Sequence, residues 1–280
     1  MKLYIVLTYL FIALFSAQIA AAQQRIITLS SAISETVHAL GREQSIVAVD
    51  VTSEYPAVIK SKPRASRDRT FSLEGLLAFK PDLILTPSNQ ISYPTEVKLK
   101  QLGIRVVTID QEYSVKGAEK FIKTIAQTIH ANKEGTALVT QFQTNLKMVM
   151  AALKQNKSKK KVLFIYARGV GLMSVAGKGS PIDALIDLAG GRNAVQEFSD
   201  FRTYTTEALI KSNPDVLLLF DFGATSLGGK EAVLNMPGVS LTNAGKMRQI
   251  ITMEGPLLVN FATRLPQAIR ELNRLLYAVK

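Results

Sequence analysis

Apolar residues follow two alternating patterns along the chain from Arg25 onward. Short continuous apolar runs are typical of parallel strands that are covered on both faces. Between them, apolar residues recur every three or four positions, which is typical of helices. The predicted strands are 25–29, 45–50, 82–86 and 105–110 in the first half, and 161–167, 215–220 and 249–253 in the second. The alternation of strands with helices predicts an α/β protein.

One helix–strand unit occurs twice in the sequence. FSLEGLLAFKPDLILT (71–86) and YTTEALIKSNPDVLLL (204–219) align at an offset of 133 residues. They share a glutamate (Glu74 and Glu207), two leucines and a Pro-Asp pair. In each stretch, a Ser or Thr caps the helix, the glutamate lies in the first turn, and the proline ends the helix before a buried strand. The repeat predicts two similar lobes, although chance similarity between α/β segments is the simpler alternative.

A single long helix is predicted to connect these lobes. Residues 133–155 contain no proline and only one glycine, and their apolar residues recur at helical spacing. We therefore predict two Rossmann-like lobes with parallel sheets, joined by one long α-helix, with a ligand cleft between the lobes at the strand ends. The predicted segments are a signal peptide (1–22), an N-terminal α/β lobe (23–131), the linking helix (132–157) and a C-terminal α/β lobe (158–280).

The first residues and the composition indicate an exported protein. A short basic start, an apolar stretch to Phe15 and the small residues 20–22 have the pattern of a cleavable signal peptide, with an uncleaved membrane anchor as the alternative. The net charge of +12 is compatible with an anionic ligand or membrane. Cysteine is absent, so the chain has no thiolate site and no lipid-anchor cysteine. We expect an exported protein that does not bind nucleic acid.

No motif predicts catalysis. The glycine-rich stretch 169–180 lacks the spacing of a nucleotide-binding loop, and neither a G-x-S-x-G nor an H-E-x-x-H motif occurs. An exported enzyme on the same scaffold would need acid–base residues in the cleft, and Asp68, Tyr204 and Glu254 form no recognisable set. We therefore predict no catalytic residue and no catalytic cofactor.

Several sequence blocks resemble the periplasmic substrate-binding proteins of ABC importers for haem, within the wider group that carries cobalamin and iron–siderophores. The resemblance covers nearly all of the chain after the signal peptide. The blocks are SETVHALG (34–41), VDVTSEYP (49–56), RTFSLEGLLAFKPDLIL (69–85), SVAGKGSPIDALIDLAGGRNAV (174–195), SLGGKEAVLNMPGVSLTNAG (226–245) and NFATRLPQAI (260–269).

The resemblance implies a role for the repeated glutamates. In such proteins one acidic residue on each lobe docks onto basic residues of the two permease subunits, and Glu74 and Glu207 match that pattern. The alternative is that both carboxylates only stabilise helix amino ends. The resemblance thus implies a periplasmic, monomeric protein, with an ABC permease dimer as partner and haem as the transported ligand.

The expected iron ligands are replaced in this sequence. Relatives usually carry a tyrosine where Arg67 stands, just before Arg69, and some carry a histidine where Arg168 stands. A guanidinium cannot coordinate iron. This leaves three alternatives: haem held by another tyrosine, haem held only through its propionates by arginines, or another ligand such as a ferric siderophore or cobalamin. The candidate tyrosines are Tyr55, Tyr93, Tyr166 and Tyr204. His38 is expected to be a packing residue, and His130 to lie near a helix end.

Overall fold

A computed structural model describes residues 24–68, 70–153, 158–169, 173–203 and 205–277. The predicted signal peptide, residues 1–22, therefore lies outside the described residues. Within these ranges the chain forms two α/β lobes, each built around its own sheet. No helix of the described chain combines the length and apolar composition that a bilayer crossing needs.

The first lobe contains a four-stranded parallel sheet. Its strands are β1 (Ile26–Thr28), β2 (Ile46–Val49), β3 (Leu83–Thr86) and β4 (Arg105–Thr108). Their order in the sheet is β2-β1-β3-β4, so β1 and β3 lie at its centre. Every side chain of β3, the strand of the first repeat copy, is buried. The helices are α1 (Ser31–Ala39), α2 (Ala57–Lys60), α3 (Leu73–Leu77), α4 (Tyr93–Gln101) and α5 (Val115–Thr128).

The second lobe contains a mixed sheet, and this corrects the prediction of parallel sheets in both lobes. Strands β10, β9 and β5 are parallel, whereas β6 is antiparallel to β5 and to β8. The strands are β5 (Lys161–Ala167), β6 (Met173–Ala176), β7 (Arg192–Asn193), β8 (Phe201–Thr203), β9 (Val216–Phe220) and β10 (Ile250–Met253). The helices are α7 (Pro181–Leu188), α8 (Thr206–Ser212), α9 (Asp221–Ser226), α10 (Lys230–Leu234), α11 (Asn243–Lys246), α12 (Gly255–Val259) and α13 (Leu265–Tyr277).

One helix, α6 (Asn132–Ala152), runs between the lobes. Its 21 residues correspond to a rod of about 31 Å. The helix ends earlier than position 157, because Leu153 has extended backbone and packs against the core of the second lobe. Residues 154–157 lie outside the described chain. Side chains from each half also enter the core of the other lobe: Ala118 packs in the second core and Ala262 in the first.

The repeated unit makes the same hydrogen bonds in both lobes. Asp82 accepts a hydrogen bond from the Arg25 N–H through Oδ2 (2.8 Å) and donates its own N–H to the Arg25 carbonyl (2.9 Å). In the second lobe, Asp215 forms the same reciprocal pair with Lys161 at 2.9 and 2.8 Å. The Pro-Asp dipeptide therefore ties the start of a central strand to its parallel neighbour in each lobe.

The side chains of Arg25 and Lys161 also reach the end of the helix that precedes the Pro-Asp dipeptide in each lobe. The Arg25 guanidinium donates to the Phe79 carbonyl (2.7 Å), and the Lys161 ammonium donates to the Ser212 carbonyl (2.8 Å). Phe79 and Ser212 are related by the same offset of 133 residues. Such detailed agreement favours a true internal repeat over a chance similarity.

Candidate ligand-binding site

A cavity of about 590 Å³ lies between the lobes, at the carboxyl ends of strands from both sheets. Ligands bind at this edge in open α/β sheets, because the loops that follow the strands converge there. The first lobe lines the cavity with Ser31, Val51, Thr52 and Glu54, and the second with Tyr166, Arg168, Ser174, Phe201, Phe220, Phe222, Gly255, Pro256 and Val259. The second lobe thus supplies most of the lining, including all of its aromatic rings.

These rings form an aromatic wall, which we define as Tyr166, Phe201, Phe220 and Phe222. Phe220 and Phe222 are stacked, with centroids 5.2 Å apart and ring planes at 29°. Tyr166 meets both rings edge-on, at 5.9 and 6.2 Å. Phe222 and Phe201 are 45% and 43% exposed, although their side chains are fully apolar. Large apolar side chains that stay exposed inside a cleft indicate a surface that a ligand covers.

Arg168 is the cation of this cavity. Its guanidinium carbon lies 5.7 Å from the Phe222 ring centroid and 5.9 Å from that of Tyr166. Arg168 makes no hydrogen bond or ion pair with any described residue, and its guanidinium carries five N–H donors suited to an anion. Across the cavity, both carboxylate oxygens of Glu54 are occupied, by Lys60 at 2.9 Å and Arg64 at 3.0 Å. Among the described lining residues, Arg168 is therefore the one unpaired charge, and it lies beside the aromatic wall.

The structure brings two of the predicted ligand-binding residues together, Tyr166 and Arg168. Both lie at the carboxyl end of β5, two positions apart, so their side chains share one face of the sheet. Tyr93 is 78% exposed at the start of α4 and is not among the lining residues. Arg67 is exposed and also does not line this cavity.

Three further predicted residues have other locations. Arg69 and Tyr204 lie outside the described residues. Tyr55 stacks on the second lobe, with the Arg264 guanidinium carbon 3.8 Å from its ring centroid. Its ring therefore contributes to a contact between the lobes, next to the cavity-lining Glu54.

Arg264 belongs to an interlobe clasp, which we define as Glu35, Tyr55, Glu254, Asn260 and Arg264. Glu35 on α1 is 2% exposed and accepts two hydrogen bonds from Arg264, both at 2.8 Å, and one from the Asn260 amide at 2.8 Å. Arg264 also donates to Glu254 at 3.0 and 3.1 Å. The clasp adjoins the cavity floor, because the cavity-lining Ser31 donates to Asn260 (2.8 Å).

The charged groups of the clasp change each other's pKa. Burial raises the pKa of Glu35, while the hydrogen bonds and positive charge of Arg264 oppose that rise. Burial alone would lower the pKa of Arg264, but the two carboxylates outweigh it and raise that pKa. Arg264 therefore remains a cation that ties a buried carboxylate of one lobe to the other lobe.

Glu74 and Glu207 occupy equivalent places on the surface. Both are exposed in the first turn of their helices, α3 and α8. The preceding caps, Ser72 and Thr205, each accept a backbone N–H hydrogen bond at 3.1 Å. Neither glutamate forms an ion pair with a described residue, and both carboxylates are exposed to solvent at equivalent places on the two lobes.

The sequence matches the model of one protein family, described as "Periplasmic binding protein", over residues 26–257. The chain belongs to this family. Among its curated relatives are an uncharacterized ABC transporter substrate-binding lipoprotein, YvrC, of Bacillus subtilis and a vitamin B12-binding protein of Vibrio vulnificus. YvrC is 26% identical over 91% of this chain and 80% of its own length, and the Vibrio protein is 26% identical over 74% and 75%.

Three solved structures of similar fold are periplasmic haem-binding proteins. RhuT of Roseiflexus in apo form superposes with a TM-score of 0.87 at 29% identity, over 91% of this chain and 98% of RhuT. BhuT in complex with two haems gives a TM-score of 0.85 at 33% identity, over 90% and 97%. HutB of Vibrio cholerae gives 0.82 at 30% identity, over 91% and 100%. The family and these neighbours are substrate-binding proteins of transport, and they confirm the resemblance and the two-lobed fold.

Sequence reasoning missed the phenylalanines of the aromatic wall and the members of the clasp other than Tyr55. Phe220 is the last residue of the buried strand β9 and Phe222 follows two positions later, at the edge where ligands bind, and that position was the available signal. Glu35 and Arg264 lie in two of the blocks that carry the resemblance, but 229 residues separate them. No local pattern indicates that two such distant side chains form a pair.

Proposed function

We propose that this protein is a periplasmic carrier that captures haem and delivers it to an ABC importer. The observation that carries the proposal is the combination, in one interlobe cavity, of the aromatic wall and the unpaired guanidinium of Arg168. Haem is a flat aromatic macrocycle with two carboxylates on one edge. Its ring face suits the wall, and a carboxylate suits a guanidinium fork.

Cobalamin is the second candidate, since curated relatives include vitamin B12-binding proteins. Its corrin ring carries axial groups on both faces, which hold the ring plane away from any flat surface. A wall of stacked phenylalanines therefore favours haem, whose faces are open. A ferric siderophore shares the negative charge but offers no comparable flat aromatic face.

Titration with hemin, followed at the Soret band, tests the proposal directly. We expect a saturable spectral shift at one-to-one or two-to-one stoichiometry, and no response to cyanocobalamin at the same concentration. Arg168→Gln should weaken hemin binding about tenfold or more, since a hydrogen bond to a charged group contributes about 1.5 kcal/mol or more. Arg67→Gln is the matched control, because Arg67 is an exposed arginine outside the cavity lining. Saturable cobalamin binding without hemin binding would transfer the function to the second candidate.

Delivery is proposed to use Glu74 and Glu207 as one docking carboxylate per lobe on the two permease subunits. Their exposure, freedom from ion pairs and equivalent positions support this role. Charge reversal of both to lysine should abolish haem uptake by cells while hemin affinity stays within about twofold, since surface charges act mainly on association and register. Glu197→Lys, an exposed carboxylate elsewhere on the second lobe, is the control. Normal uptake by the double variant would refute the docking role.

The segment boundaries remain part of the proposal. We propose that residues 1–22 direct export and are removed, that 23–131 and 158–280 form the lobes, and that 132–157 connect them. Mass spectrometry of the protein isolated from periplasm tests the cleavage, with a first residue near position 23 as the expected result.

A further inference from the structure

We infer that the cavity recognises the porphyrin ring and its carboxylates rather than the metal, so that iron-free porphyrin dicarboxylates are ligands too. This inference rests on the proposed function and names the ligand class of the same site: planar, anionic porphyrins with or without a metal. It predicts that protoporphyrin IX, the iron-free parent of haem, binds almost as tightly as hemin.

The contacts that the cavity offers to a flat ring are independent of any metal. Phe222 and Phe201 keep close to half of their side-chain surface exposed, and their contact with Phe220, Tyr166 and the buried Phe164 holds them in place. Fixed rings lose little conformational entropy when a ligand covers them. Stacking on such a surface acts on the π-system of the ligand, which porphyrins have with and without iron.

The charged contact of the cavity is also independent of the metal. Arg168 is a cation with free N–H donors, and a permanently protonated guanidinium binds carboxylates but cannot coordinate iron. Glu54, on the opposite side, has both oxygens occupied by Lys60 and Arg64. Arg168 therefore carries the only unpaired charge in the described lining, and that charge suits the carboxylates of a porphyrin.

Groups that bind iron are scarce in the described lining. It contains no histidine, methionine or cysteine. With Glu54 occupied, Tyr166 has the one free side-chain oxygen of a kind that commonly coordinates ferric iron. Its ring, however, is fixed edge-on against Phe220 and Phe222 and lies beside Arg168, as a member of the wall. The described residues thus offer many more contacts to the porphyrin ring than to the metal at its centre.

A competition titration separates ring recognition from metal recognition. Protoporphyrin IX is bound first and followed by its own fluorescence, and hemin is then added to displace it. We expect the two dissociation constants to agree within about threefold, since both ligands share the stacking and carboxylate contacts. Phe222→Ala should weaken both about tenfold, the value of a well-placed aromatic contact. Leu102→Ala, an exposed apolar side chain outside the cavity lining, is its matched control.

Tyr166→Phe provides a second readout, because it removes only a hydroxyl group. Ring recognition requires that the variant change hemin and protoporphyrin affinity by the same factor, whereas an iron–tyrosinate bond would weaken hemin alone. The same deletion at the exposed Tyr93 is the control. Protoporphyrin binding more than about thirtyfold weaker than hemin, equal to 2 kcal/mol, would overturn the inference and leave the haem carrier intact. Failure of both ligands to bind would overturn the proposed function as well.

Discussion

Replacement of Arg264 by methionine tests whether the clasp holds the two lobes together. The substitution keeps an unbranched apolar stem but removes the guanidinium and its positive charge. It deletes two hydrogen bonds to Glu35 and two to Glu254, and it removes the guanidinium from the Tyr55 ring. Glu35 is 2% exposed, so water cannot replace the lost partner without opening the lobe interface.

The expected cost follows from the burial of Glu35. Removing one partner of a buried ion pair generally costs about 3–5 kcal/mol. This cost has an upper limit, because an unpaired Glu35 can take up a proton and become neutral. Protonating a carboxyl of ordinary pKa costs about 3.5 kcal/mol at pH 7. The lost stacking on Tyr55 adds about 0.5–1 kcal/mol. We therefore expect Arg264→Met to lower the free energy of unfolding by about 3–4 kcal/mol at pH 7.

The same reasoning fixes the pH dependence. Burial already raises the pKa of Glu35 in the folded protein, and without the opposing charge of Arg264 this pKa rises further. A group whose folded pKa is raised contributes stability that is present below its unfolded pKa, about 4.3, and is lost as pH rises through the folded value. The deficit of the variant should therefore widen between pH 5 and pH 7, by at most about 1.4 kcal/mol per pH unit.

Urea unfolding followed by far-ultraviolet circular dichroism at both pH values measures this deficit. Arg270→Met is the control, since Arg270 is an exposed arginine on α13, the helix that begins directly after Arg264, and it should cost less than about 0.5 kcal/mol. The double variant Arg264→Met, Glu35→Gln should recover part of the loss, because it leaves no buried charge unpaired. A deficit below about 1 kcal/mol, or one that is constant between pH 5 and pH 7, would refute the reasoning.

Three smaller predictions concern the second lobe. Thr205→Ala removes the cap of α8 and should cost about 1 kcal/mol, read as a lower thermal midpoint. Burial alone would raise the pKa of Asp215, but its hydrogen bonds outweigh burial and lower that pKa. Asp215→Asn should therefore cost about 1–2 kcal/mol at pH 7. This loss of stability should shrink as pH falls below about 4, where the wild-type carboxylate becomes protonated. Gly245→Ala would place a methyl group against the Val239 carbonyl and should cost about 1–3 kcal/mol in urea unfolding.

The central strands and the repeat could be predicted because their signals are local. Buried parallel strands read as continuous apolar runs, and Pro81 and Pro214 mark where each helix must end. The antiparallel strands β6 and β8 lacked such a signal. β8 has only three residues, all exposed, and its pairing with β6 brings together residues such as Ala176 and Phe201 that no local pattern connects.

The candidate site was predictable only where it follows a recognisable strand. Tyr166 and Arg168 stand at the end of an apolar run, so their position at the cleft follows from the α/β fold. Phe222 follows another such run, but an aromatic residue after a strand has no distinct meaning until its neighbours are known. Glu35 reads as one polar residue of an ordinary helix, and its burial depends on Arg264 in the other lobe.

The clasp and the wall together constrain how a ligand is bound. The rod-like α6 and the bond between Glu35 and Arg264 both resist a large separation or closure of the lobes. The cavity must therefore be wide enough before the ligand arrives, and the rings of Phe201 and Phe222 must stay exposed until then. When a ligand covers these rings, the favourable free energy of removing them from water contributes to binding, because no large domain closure has to be driven. We propose that a preformed cavity of this kind favours flat ligands of the right size, and that Arg168 favours those that carry a negative charge.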